Sequence, residues 1–228
     1  MCHQISQDQW DRLVMRCSGL RDVPCKALIA GRNEPLTESL LLLDGMIGRH
    51  VASDGEGFTQ LVGLQVPGDF VDLHGFPIGV LDHEVRAVSD VRMAVFPHAA
   101  LSELVRTDPD MMIALWGMTI IDAAIHRYWS FRIGALRGMS RVANFLAEMD
   151  VRLRQANTVV RSTFDLPLTQ AQIGAACGMT SVHVNRVLRD LREAGCCVIR
   201  NRRVTIRDRD ALQRIGHFDP TFLQLEHV

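Results

Sequence analysis

Residues 168–206 read LTQAQIGAACGMTSVHVNRVLRDLREAGCCVIRNRRVTI, and the chain is best read outward from this segment. Thr169 can cap a two-turn helix, Gln170–Cys177, that buries Ile173 and Ala176. Gly178-Met179 supplies a turn, and Thr180 can cap a second helix, Ser181 to about Glu193. On that helix Val184, Val187, Leu188 and Leu191 recur at i, i+3, i+4 and i+7, so they face a core. Ser181, Val182, Asn185, Arg186 and Arg189 are left facing outward. This short cationic face suits a DNA major groove: Arg can bond guanine O6 and N7, Asn can pair with adenine, and an exposed Val can meet a thymine methyl. Thr169, Gln170, Thr180 and His183 flank it and complete the candidate contacts on the two helices. Cys196–Arg200 and Val204–Ile206 then read as a β-hairpin wing around the turn Asn201-Arg202-Arg203, with Arg202 and Arg203 suited to phosphate.

Charge supports this reading. Residues 180–209 hold eight Arg against Asp190, Glu193 and Asp208. The net charge of −1 for the 228-residue chain conceals a division. Residues 1–134 carry 11 Lys/Arg against 17 Asp/Glu, whereas residues 135–228 carry 14 Arg against 9 Asp/Glu. An acidic sensor joined to a basic DNA-binding module would show such a split.

Upstream, residues 6–20 predict a short amphipathic helix with Trp10, Leu13, Val14 and Cys17 on one side. From about 24 to 97, short apolar runs alternate with turns: Leu40–Leu43, Ile47–Val51, Thr59–Val66, Glu84–Val88 and Val91–Phe96, with Asp54-Gly55-Glu56-Gly57 among the turns. Their length and spacing predict an all-β barrel or sandwich. Ala99–Val105 is a short helix, and Asp108-Pro109 opens a long one to about Ile133. Between Met111 and Ile125 that helix is apolar nearly all round, so it needs burial on more than one side. A second copy of the same helix is the expected partner, with Met111, Leu115, Met118 and Ile125 as the seam and Asp122 as a polar interruption. Gly134 and Gly138 bracket an expected hinge before a helix from about Met139 to Gln155. The 15-residue apolar run is too short to cross a bilayer, and residues 1–20 are broken by charge, so a cytoplasmic protein is expected.

Several motifs resemble the Crp/Fnr family of transcription regulators. They are Leu168-Thr169-Gln170 through Ile173-Gly174, the run Gly178 to Leu188, and Leu191-Arg192 with Gly195. Pro67-Gly68-Asp69-Phe70 resembles the family's β-roll turn, Val85-Arg86-Ala87 and Val91–Phe96 its last strands, and Phe218-Asp219-Pro220 a common tail. The resemblance implies an α+β chain. Residues 1–134 would form a cyclic-nucleotide-binding-like β-roll (jelly roll) with a dimerisation helix at about 109–133, and residues 135–228 a winged helix-turn-helix. It implies a homodimer on an inverted repeat in double-stranded DNA and, for an activator, contact with RNA polymerase.

The departures matter as much. Where cyclic-AMP-binding members carry Gly-Glu and Arg-Ser pairs, this chain has Asp72-Leu73 and Leu81-Asp82, so cyclic AMP is not the expected effector. Val182 replaces a base-reading Glu, while Arg186 matches the guanine-reading Arg. Cys2, Cys17 and Cys25 lack iron–sulfur spacing, and the other cysteines lie beyond residue 176. His50, His74, His83 and His98 show no metal-ligand pairing, so no metal and no cofactor are expected. Two alternatives remain: a cupin-like metal enzyme built on the β-domain, which would need a His/His/Glu cluster, and a thiol sensor using Cys177 or Cys196-Cys197. Small buried thiols are the simpler account of those three cysteines.

Overall fold

The computed structural model describes residues 5–52 and 59–223; Cys2 and the Asp54–Gly57 turn lie outside the described residues. The chain forms two compact units, one made chiefly of residues up to Ala124 and the other of Ile125–Leu223.

The first unit opens with α1 (Gln7–Val14), where Ser6 and Gln9 form a capping box. It continues with β1 (Gly19–Val23), β2 (Leu28–Ala30), β3 (Glu38–Asp44), β4 (Ile47–Ala52), β5 (Thr59–Gln65), β6 (Glu84–Ala87) and β7 (Val91–Pro97), then α2 (His98–Thr107). The strands make two sheets, ordered β1-β7-β3 and β2-β6-β4-β5. Strand alternation partitions the core. Leu40 and Leu42 of β3 and Val91, Met93 and Val95 of β7 meet Ile47 of β4 and Val85 and Ala87 of β6 between the sheets. Leu41, Ala94 and Phe96 point the other way, onto Leu13, Leu101 and Leu104 of the helices. Of the strands that escape the sequence reading, β1 is largely exposed and carries no apolar run, and β2, although apolar, is only three residues long. The first helix is shorter than expected and leaves Val14 exposed.

The long helix α3 (Pro109–Ala135) corrects the expected seam. Met111 and Leu115 are 0% and 4% exposed, packed with Leu101, Leu104 and Phe96 in the core of their own unit, and half-buried Met118 packs against that cluster. Met111 and Leu115 are therefore core residues of their own unit, whereas Met118 keeps part of its surface exposed. Ile125 is also buried within the chain. Asp122 is no free polar interruption, because Nη1 of the buried Arg49 donates to both its oxygens at 2.9 and 2.7 Å. Between Met111 and Ile125 the large apolar side chains that face solvent are Met112, Ile113, Trp116 and Ile120, with Trp116 63% exposed. A helix apolar on all sides gives no moment from which to choose between its faces.

In the second unit the end of α3 is followed by α4 (Gly138–Gln155), β8 (Thr163–Asp165), α5 (Gln170–Cys177), α6 (Ser181–Glu193), β9 (Cys197–Arg200), β10 (Arg203–Ile206) and α7 (Arg209–Gly216). β8, β10 and β9 form a small antiparallel sheet in that order. Among the described residues no helix is long and apolar enough to cross a membrane.

Candidate nucleic-acid interface

The helix–turn–helix is built by local chemistry. Thr169 Oγ1 accepts the Gln172 N–H at 3.2 Å while Gln172 Oε1 accepts the Thr169 N–H at 2.9 Å, a reciprocal cap that starts α5. Thr180 Oγ1 accepts the His183 N–H at 3.3 Å and starts α6. Between them Gly178 takes the left-handed conformation at φ +62°, which ends α5. Gly174 permits the tight turn: a Cβ there would lie 2.4 Å from the Met179 carbonyl oxygen. Arg141 of α4 donates to the Gly178 and Cys177 carbonyls at 3.1 and 3.4 Å, placing a cation at the negative end of α5.

Val184, Val187 and Leu191 hold α6 to the core, as its periodicity demands. Ser181, Val182, Asn185, Arg186 and Arg189 are exposed together along the opposite side, with His183 half-buried at its edge. Val182, at 80%, is the most exposed large apolar side chain among the described residues. Thr169, Gln170 and Thr180 are exposed beside this face. Asn185 Nδ2 donates to Gln170 Oε1 at 3.2 Å, a link between α5 and α6 that the sequence reading missed. Arg189 Nε lies 3.9 Å from Asp190 and 4.0 Å from Glu193, within its own helix.

The wing differs in detail from expectation. Arg200 pairs with Arg203, so the loop is Asn201-Arg202 alone, both at positive φ as a two-residue hairpin of the I′ kind requires. Arg202 projects from the tip and is exposed. Arg203 belongs to β10, and its Nε donates to Asp165 Oδ1 of β8 at 2.9 Å; that hydrogen bond raises its pKa. Of the two expected phosphate contacts, one guanidinium already has a carboxylate partner.

The thiols behind this face are core groups. Burial pushes Cys177 and Cys197 up to about 12 and raises Cys196, so none carries thiolate at neutral pH.

In the first unit the positions that would hold a cyclic nucleotide are occupied differently. Leu73 and Leu81 are buried apolar residues. Asp82 is exposed and bonded to His83 Nδ1 at 2.7 Å. Asp72 is buried and accepts the Leu40 N–H at 2.9 Å; burial raises its pKa to about 7, against the pull of Leu40 and Arg49. Arg49, missed in the sequence, sits on the inward parity of β4 with Ile47 and donates through Nη2 to the Val71 carbonyl at 2.8 Å. The histidines have local partners: His74 stacks on His83, and His98 bonds Ser39 Oγ at 3.2 Å. Burial lowers the pKa of His50. Among the described residues no three His, Cys, Asp or Glu are grouped to hold a metal ion.

Comparison with known proteins agrees with this geometry. Residues 140–215 match the Crp-like helix-turn-helix domain. Over 70% of its length the chain is 29% identical to a probable transcriptional activator of Rhizobium leguminosarum bv. viciae, and over 66% it is 28% identical to the transcriptional activator protein FnrL of Cereibacter sphaeroides. The matches span 66% and 61% of those relatives, less than two thirds of either. The fold is also that of the FixK2 structure from Bradyrhizobium japonicum, with a TM-score of 0.76 and 23% identity over 86% of this chain and 96% of that one.

Proposed function

We propose that this chain, a member of the Crp/Fnr family of transcription regulators, acts as a homodimer that reads an inverted repeat in double-stranded DNA. The observation that carries the reading is the solvent face of α6. Ser181, Val182, Asn185 and Arg186 stand exposed on a helix whose other side is locked into the core. A second copy covers the Met112–Ile120 face of α3, which is too apolar to be left in water. Arg186 bonds a guanine edge, Val182 meets a thymine methyl, and Asn185 or Ser181 contacts a neighbouring base. Arg202 touches phosphate, and Arg203 does so more weakly from beside Asp165.

The chain works in this reading as a cytoplasmic regulator and not as an enzyme, and as an activator it contacts RNA polymerase. Cyclic AMP is not its effector, because Asp72, Leu73, Leu81 and Asp82 offer a phosphate no cation.

Selection from random duplexes tests the proposal. A two-fold site with half-sites about 34 Å apart is expected. Arg186→Ala should cost about 1–3 kcal/mol and relax preference at one base pair per half-site. Wild type enriching no symmetric site, or Arg186→Ala enriching the same site with the same preference, sinks the assignment.

A further inference from the structure

The α3–α4 junction is where a pivot is expected, since only Leu136 and Arg137 separate the helices and Gly138 follows at φ +44°. The side chains make it a rigid elbow. Trp129 and Arg132 lie three residues apart on one face of the last turns of α3 and converge on Glu148 of α4. Glu148 is fully buried, as is Arg132. Trp129 Nε1 donates to Glu148 Oε2 at 3.1 Å, Arg132 Nη2 donates to the same oxygen, and Arg152 Nη1 donates to Oε1 at 2.9 Å. Burial alone would raise the Glu148 pKa, but Arg132 and Arg152 outweigh it and hold the carboxylate ionised.

The same cluster reaches the rest of the unit. Arg132 Nε donates to Asn144 Oδ1 at 2.9 Å, and Asn144 Nδ2 donates to the Gly216 carbonyl of α7 at 2.9 Å. The Arg132 guanidinium lies 5.1 Å from the Trp129 ring centre and 5.4 Å from that of Phe145. Directional bonds from one carboxylate to two positions on α3 fix both the angle and the rotation of α4 against it. A purely apolar contact would fix neither so narrowly.

We propose that Glu148 is a positioning residue: by bonding Trp129 and Arg132 across the two-residue link, it sets the separation of the two α6 helices in the dimer and hence the half-site spacing the protein accepts. This rests on the DNA-reading dimer above. Trp129 and Arg132 belong to the same helix, α3, as the exposed Met112–Ile120 face. The elbow passes that geometry to α4, against which α5 and α6 pack. One base pair is about 3.4 Å and a tenth of a turn, so small freedom at the elbow admits neighbouring spacings.

The experiment measures affinity for the selected repeat and for versions one and two base pairs longer or shorter. Wild type should discriminate by about tenfold or more per step. Arg132→Leu with Glu148→Leu removes the two fully buried charges together, so that neither is left facing the other's absence, while Arg152, 5% exposed, loses its bond to Glu148 Oε1. This variant should remain a folded dimer that binds the selected site, with discrimination reduced to about threefold or less. Trp129→Phe removes only the N–H donor and should give an intermediate loss. A folded double variant with wild-type discrimination overturns the proposal. If the double variant does not fold, Trp129→Phe decides alone, and unchanged discrimination there overturns it. Failure of wild type to bind any repeat strikes the DNA reading itself, whereas unchanged discrimination strikes only the role of Glu148.

Discussion

Helices α6 and α3 make opposite use of apolar residues. In α6 they occupy one stripe, Val184, Val187 and Leu191, so the sequence dictates which side is buried and which faces solvent. In α3 apolar residues surround the helix, and two neighbours such as Leu115 and Trp116 have opposite fates, 4% and 63% exposed. The difference teaches that hydrophobicity sets how much of a helix must be covered. Only its asymmetry says which side and by what.

The sharpest way to break the comparison is at that pair of neighbours. Leu115→Glu places an unpaired charge in the core of its own unit and should cost about 4 kcal/mol or more, visible as loss of cooperative unfolding. Trp116→Glu, one residue on, should leave secondary structure intact and weaken association by about 2 kcal/mol or more in sedimentation. Equal stability losses for the two, with dimers surviving in the Trp116 variant, would erase the distinction between the faces.

A second test concerns where charge is kept. α6 holds its arginines in water, whereas the first unit buries Asp72 with a pKa of about 7, above the ordinary aspartate value of 3.8. A carboxyl raised on folding favours the folded state most fully below its unfolded pKa, and that contribution is lost as pH rises through about 7. The melting temperature should therefore fall between pH 5 and pH 8. Asp72→Asn keeps an acceptor for the Leu40 N–H and should flatten the profile, gaining about 2–4 kcal/mol at pH 8. A wild-type profile flat across that range contradicts the burial argument.

The smallest effect lies in the wing. Arg202→Ala should weaken every DNA sequence alike and lower the logarithmic salt slope by about 1 per half-site. Arg203→Ala should change the slope less, because Asp165 already holds its guanidinium. Reversal of that order would mean that DNA displaces Asp165.

What the sequence made legible follows the same logic. Thr169, Thr180 and Gly178 are strong local signals, and they placed α5 and α6 at the boundaries the structure gives. The strands β3 to β7 are readable from apolar runs cut by turns, whereas β1 carries no such run and β2 is only three residues long. The signal for α7 is Asp208, which caps it by accepting the Ala211 N–H at 2.9 Å, ahead of an amphipathic octet. For lack of asymmetry on α3, the expected seam includes Met111, Leu115 and Ile125, which the structure buries within the chain. Arg49 and Glu148 were passed over because charged residues are rarely fully buried, and their partners Asp122 and Arg132 lie 73 and 16 residues away.

The clasp between Arg49 and Asp122 has a consequence for any anion approaching the β-unit. Arg49 is the buried cation of that interior, and its guanidinium is already bonded to both Asp122 oxygens and to the Val71 carbonyl. An anion arriving from solution competes with a carboxylate tethered to the same chain, whose effective concentration at the guanidinium far exceeds that of a free metabolite. Displacing it would also break both of the Arg49 hydrogen bonds to Asp122. The interior is therefore a poor receptor for small anions because the chain supplies its own resident one.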